Sequence, residues 1–198
     1  MPKESKKVDL NPKSFLNMSG IHTLINTDSE KGGYGLRLSG DALGDKDNKS
    51  LSNPIQEYYL CALKNEAKSI ISNLPRKTKG DNKGMLKAFT LNPKMFSKVK
   101  LEKDWQPELV KSTAIPSLFK EVSRTMKEAD NTAVRISDKA KPKVNYLMDM
   151  AIRSATDDLR DNILPRKTKG ENKGDLKVHT ITKDMLVEKY DFKLCKFK

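Results

Sequence analysis

Two stretches of the chain gather cations around paired glycines. Residues 75–87 read PRKTKGDNKGMLK and residues 165–177 read PRKTKGENKGDLK. The first carries five cations and one anion, net +4, and the second five cations and two anions, net +3. Seven of the chain's thirteen net positive charges therefore lie in these two segments. Lysine is a flexible point charge, and glycine lets a loop turn tightly enough to bring backbone N–H groups near an anion. The chemistry on offer is non-covalent capture of phosphate, which grips a polyanion without reading its sequence and weakens steeply with salt. Candidate contacts are Arg76, Lys77, Lys79, Lys83 and Lys87, with Arg166, Lys167, Lys169, Lys173 and Lys177. One such loop could be a solvated basic turn; two near-identical copies favour a shared ligand. Aromatic residues make up only 6% of the chain, which disfavours a base-stacking platform for single strands and leaves duplex phosphate as the better partner.

Other reactive side chains do not add up to an enzyme. The glycines of GDNKG lack the G-x-x-x-x-G-K-[ST] spacing of a phosphate loop, and no serine or cysteine nucleophile has an evident base. Asp157, Asp158 and Asp161 fall at helical spacing with Arg160, as on a solvated helix face. Cys61 and Cys195 are too few for a disulfide scaffold, and His22 and His179 are far apart, so neither a zinc site nor any other cofactor is expected. No apolar run reaches the length needed to span a bilayer, and MPKESKKVDL does not read as a signal peptide. The expectation is a soluble, unsecreted, non-enzymatic chain with no small-molecule substrate and no membrane partner. A pI near 9.6 points to nucleic acid.

The elements that position the loops come in two copies. Residues 74–90 and 164–180 are identical at thirteen of seventeen positions, at an offset of ninety. A repeat of this length fixes the architecture. Each loop follows a long amphipathic pattern: Ile55, Tyr59, Ala62, Leu63, Ala67, Ile70 and Leu74 in the first copy, Val144, Leu147, Met148, Ala151, Ala155, Leu159 and Ile163 in the second. Pro75 and Pro165 stop both helices. Shorter helical patterns precede them, around Phe15, Met18, Ile21 and Ile25, and around Ile115, Leu118, Phe119, Val122 and Met126. Asn11-Pro12 and Thr113 with Pro116 read as their starts. Asn92-Pro93 and Thr182 read as caps of a short third helix in each copy. Pro142 lies late for a helix capped by Ser137, which moves the expected start toward Ala140. GDALGDKDNKS, residues 40–50, reads as an exposed polar insertion, and Trp105 as a packing anchor in the linker.

These residues resemble the histone fold. Residues 133–163, with Arg135-Ile136-Ser137 and Ala151-Ile152-Arg153, are similar to the first loop and long helix of a core histone, and HTITKDML (179–186) to its second loop and third helix. LRLSGDA (36–42) and FTLNPKMF (89–96) are similar to the same stations. The fused arrangement resembles the histone doublets of large DNA viruses and of some archaea. The resemblance implies an all-α chain of two fused short–long–short repeats clasped as an intramolecular pseudodimer. Its divisions are a basic segment (1–11), repeat one (12–102), a linker (103–112), repeat two (113–190) and a basic tail (191–198). It would place Arg37 and Ser39 beside Lys177 and Thr180, and Arg135 and Ser137 beside Lys87 and Thr90, with both arginines entering a minor groove. The implied function is sequence-independent binding and compaction of double-stranded DNA, with other doublets or further copies as partners, in the nucleus, viral factory or virion. The PRKTKG-x-NKG insertion and the lack of long basic tails depart from the family. An interaction module docking on an acidic protein, and a basic RNA-binding protein, remain open alternatives.

Overall fold

Three of the six helix starts among the described residues are written by asparagine, two of them followed by proline, and the carboxamide oxygen accepts backbone N–H groups that the helix leaves free. Asn11 takes the Lys13 N–H at 3.0 Å, and Asn53 takes those of Ile55 and Gln56 at 3.1 and 3.4 Å. The structure is a computed structural model that describes residues 10–27, 30, 32–39, 42, 53–126 and 133–198. Of the expected segments, residues 1–9 of the N-terminal basic segment and all of the 40–50 insertion except Ala42 lie outside the described residues. The helices are α1 (Pro12–Phe15), α2 (Met18–Asn26), α3 (Pro54–Ser72), α4 (Ile115–Thr125), α5 (Lys141–Asp158) and α6 (Lys183–Lys189). The strands are β1 (Arg37–Leu38), β2 (Thr90–Leu91), β3 (Arg135–Ile136), β4 (Thr180–Ile181), β5 (Tyr190–Asp191) and β6 (Lys196–Phe197).

The long helices α3 and α5 pack against each other and run antiparallel. Near the start of α3, the Tyr58 hydroxyl donates to the Ala155 carbonyl at 2.7 Å, and Tyr59 meets Thr156 Oγ1 at 2.8 Å, both near the end of α5. Thr156 Oγ1 already donates to the Ile152 carbonyl at 2.9 Å, so Tyr59 supplies the proton of its own bond. Burial raises the pKa of both phenols, which keeps them donors at any physiological pH. Around these bonds Ile55, Leu63, Ile71, Val144, Met148, Ile152 and Leu159 are fully buried. Phe15, Leu16, Ile21 and Ile25 from the first copy, and Ile115, Leu118, Phe119 and Val122 from the second, join the same cluster. One continuous core thus includes residues from both copies.

The expectation of an all-α chain built from two fused short–long–short repeats is corrected. The chain is about 49% helical, in six helices among the described residues, and it also carries small sheets. These are three two-stranded ladders, two parallel and one antiparallel. The short elements also depart from two matching triplets of helices. In copy one the first helix breaks after Phe15, because the linker inserts there: Leu16 bridges Val110, Asn17 N–H donates to the Leu109 carbonyl and Lys111 N–H to that of Phe15. Gly20 permits that approach, since a Cβ on it would lie 2.3 Å from the Glu108 carbonyl oxygen. The expected third helix of copy one is a single 3-10 turn, Pro93–Phe96, whose last carbonyl accepts from Lys143 Nζ at 2.8 Å. In copy two, α5 starts at Lys141 after an uncapped Ala140 and widens at its end into a π turn, Leu159–Ile163. Neither Thr113 nor Ser137 caps a helix; a 3-10 turn over Ser112–Ala114 leads into α4. Trp105 is half-buried and packs edge to face on Tyr146, with Nε1 donating to Asp149.

The segment expected to trail as a basic tail folds back instead. β5 and β6 form a hairpin in which Tyr190 and Phe197 stack edge to face with Tyr58, and a disulfide joins Cys195 to Cys61 on α3. Burial pushes the Tyr190 phenol up to about 12, with Asp158 adding to the shift. Among the described residues no helix is long and apolar enough to cross a membrane.

The disulfide closes a loop of 134 residues. In the chain-entropy account, such a closure is worth about 5 kcal/mol. Reduction, or Cys61→Ser with Cys195→Ser, is expected to lower the calorimetric Tm by roughly 10 °C or more. An unchanged Tm would show that the bond does not form in solution.

Candidate nucleic-acid interface

The two basic stretches fold into nearly superimposable hairpins. In the first, Lys77 N–H donates to the Met85 carbonyl at 2.8 Å, Gly84 N–H to that of Lys77 at 2.8 Å, and Lys87 N–H to that of Pro75 at 2.7 Å. In the second, the matching bonds join Lys167 to Asp175 at 2.8 Å, Gly174 to Lys167 at 2.9 Å, and Lys177 to Pro165 at 2.8 Å. Each closes with an antiparallel bridge, Arg76 to Leu86 and Arg166 to Leu176. Gly84 and Gly174 sit at φ 90° and 98°, in the left-handed region that favours glycine. A Cβ at either would meet no atom within 4 Å, so the requirement is conformational rather than spatial.

Closure at Pro75–Lys87 and Pro165–Lys177 returns the chain to the end of its long helix, and a parallel ladder begins three residues later. β2 pairs with β3, setting Thr90 against Arg135, and β1 pairs with β4, setting Arg37 against Thr180. The ladder bonds match: Arg135 N–H to the Phe89 carbonyl at 2.7 Å and Ser137 N–H to that of Leu91 at 3.0 Å; Arg37 N–H to that of His179 at 2.8 Å and Ser39 N–H to that of Ile181 at 3.0 Å. One ladder stands where α3 ends and α5 begins, the other beyond the end of α5. The eighteen residues of α5, which lie between them in the chain, span about 27 Å. Each ladder, with the hairpin leading into it, makes one basic end of the molecule.

The sixteen candidate residues divide by environment. The ammonium groups of Lys77, Lys79, Lys83, Lys87, Lys167, Lys169, Lys173 and Lys177 are exposed, and none joins an ion pair or side-chain hydrogen bond among the described residues. Arg37 and Arg135 are exposed in the same way and likewise have no described carboxylate partner. Thr90 is exposed and Thr180 half-buried. The serine hydroxyls turn inward: Ser39 Oγ donates to the Ile181 carbonyl at 3.0 Å, and Ser137 Oγ is buried with no hydrogen-bond partner among the described residues. Arg76 and Arg166 lie within their hairpins, with Nη1 2.9 Å from the Gly84 carbonyl and 2.7 Å from the Gly174 carbonyl.

Some carboxylates near these ends are paired with basic side chains. Asp161 on the π turn receives Arg166 Nη2 at 2.7 Å and Arg160 at 3.1 Å. The Arg160 hydrogen bond, helped by the charges of both arginines, holds its pKa below the usual carboxylate value. Arg160 also reaches Asp157 at 3.1 Å and lies 5.4 Å from the centre of the Tyr34 ring. Asp138, at the start of α5, pairs with Lys141 at 2.6 Å, and that bond lowers its pKa. No family model, curated protein or solved structure matches this chain.

The left-handed glycines supply one test. Gly84→Ala with Gly174→Ala places a side chain where it costs about 1 kcal/mol per site, far from the core. Amide exchange at Lys77 and Lys167 is expected to accelerate, while Tm moves by no more than about 3 °C. Unchanged exchange would mean that these turns do not hold the hairpins closed.

Proposed function

We propose that the chain is an architectural, non-enzymatic protein that binds double-stranded DNA without reading its sequence, and bends and compacts it. The observation that carries this reading is the pair of matching basic ends. Each has four exposed lysines beside one exposed arginine on a parallel ladder, all without an ion-pair partner among the described residues. A single solvated turn could also leave its lysines unpaired; the same unpaired set at both ends favours a shared polyanionic ligand. The length of α5 between the two ends, about 27 Å, is of the order of one duplex turn, roughly 34 Å. The proposal has both ends meet one duplex.

Bending 20–30 base pairs costs about 1–6 kcal/mol, which several phosphate contacts and cooperation between copies would offset. Arg37 and Arg135 are assigned to the minor groove, the role implied by the resemblance to histone doublets. The assignment uses the two ends and does not need an all-helical repeat. Its setting would be wherever duplex DNA is packaged: a nucleus, a viral factory or a virion.

Binding to random-sequence duplex is expected to fall linearly on a logarithmic salt axis. No binding at low salt, or a flat response, removes the proposal. Replacing Lys77, Lys79, Lys83, Lys167, Lys169 and Lys173 with Ala should shallow that slope by up to about 5, at roughly 0.9 for each phosphate no longer neutralised, with helicity retained. Preference for structured RNA over duplex DNA would move the assignment to an RNA-binding protein. Arg37→Ala with Arg135→Ala should reduce the bend angle, read by energy transfer between duplex ends, more than it slows association. Equal losses in both would argue against groove insertion.

A further inference from the structure

The ten cations of the two hairpins fall into two groups by what they touch. Eight lysines point their charge to solvent. The two arginines turn back on their own hairpins, each spanning eight residues to a glycine carbonyl, Arg76 to Gly84 and Arg166 to Gly174. Those glycines are the residues whose N–H groups close onto Lys77 and Lys167, so each guanidinium grips the glycine that the backbone ladder uses. Arg166 uses its second nitrogen on Asp161, which ties the hairpin to the π turn at the end of α5.

The arrangement answers a physical problem. Four like charges crowded on one short turn repel each other, and ordering each backbone residue costs about 1–2 kcal/mol. Only Leu86 among the hairpin residues is buried in the core. An arginine can span the turn because its planar fork presents several donors in fixed geometry, whereas a lysine offers a single mobile ammonium. Two copies that differ at Asp81 and Glu171, and at Met85 and Asp175, keep the same clip.

We propose that Arg76 and Arg166 are positioning residues, clips that hold the hairpin lysines at a fixed spacing for duplex phosphate while making no phosphate contact themselves. This rests on the duplex-DNA reading of the hairpins, but half of its test needs no DNA. Two variants of equal charge are compared in the full chain: Arg76→Met with Arg166→Met, and Lys79→Met with Lys169→Met. In the absence of DNA, the arginine pair is expected to speed amide exchange at Lys77, Gly84, Lys167 and Gly174 by about tenfold, while the lysine pair leaves it unchanged. For random duplex, the arginine pair should raise Kd several times more than the lysine pair, because it scatters eight lysines instead of deleting two. Unchanged exchange in the arginine variant overturns the clip. Equal losses of affinity in the two variants would mean that the arginines act only as charges, or only in folding, and would overturn the positioning role. Failure of the unaltered chain to bind duplex would sink the DNA reading, while the exchange comparison would still decide whether the arginines close the hairpins.

Discussion

Two long amphipathic helices, each carrying an apolar face that its own neighbours in sequence cannot cover, must bury those faces against one another. In this chain α3 and α5 do so antiparallel. Exposed in isolation, such stripes would bring aggregation; paired, they form the seam around which the other elements are arranged. The seam is buried, so its polar groups have to be satisfied within it. The Tyr58 and Tyr59 hydroxyls meet that demand on Ala155 and Thr156. They also bear on register: a shift of α3 along α5 would leave two buried phenols without partners. The end of each long helix then has a fixed place, and so do the hairpin and ladder that follow it.

The electrostatic layout follows from that register. Antiparallel helices send their ends to opposite poles, so a basic loop following each helix yields two separate charged poles rather than one overloaded patch. Like charges concentrated in one place would oppose folding and add little affinity beyond the first few phosphates. Charges set about 27 Å apart repel weakly across a Debye length of about 8–10 Å, yet both can serve one long polyanion. Two carboxylates close to the poles, Asp138 and Asp161, are each paired with a basic residue.

Much of this was legible in the residues themselves. The offset-ninety repeat, the two long helices, most of their buried faces and the Asn-Pro starts all follow from short-range rules about periodicity and capping, and the structure has them. The elements that were not legible depend on contacts distant in sequence. Nothing local in Phe15–Asn17 announces that Leu109 to Lys111 will claim its backbone and break the first helix. Asp149 reads as one more polar residue on an amphipathic helix. In the structure it is 1% exposed and accepts the Leu109 N–H and Trp105 Nε1, with Arg153 nearby, so it docks the linker. Cys61 and Cys195 were too few to suggest a framework, and only the return of the C-terminal hairpin brings them together. In the candidate site, composition gave the cations but could not separate the arginines that turn inward from the lysines that face out. Eight-residue closure is a property of the folded hairpin, and its only trace in sequence is an arginine ahead of two spaced glycines.

The division of labour between the two cation types has a consequence for the kind of binding such a surface supports. A guanidinium fork rewards one geometry, so arginine at every phosphate position would favour particular groove widths and resist sliding. A lysine on a four-carbon stem finds a phosphate over a range of positions and loses little when the duplex shifts by a base pair. Holding the backbone rigid through arginine while leaving the contacting groups loose combines a fixed footprint with tolerance of sequence. On the proposed reading, with Arg37 and Arg135 as the guanidiniums of the two ladders, shape-dependent contact would be confined to one point at each pole. If the proposed reading holds, a surface arranged in this way would favour the path of a duplex over its base sequence.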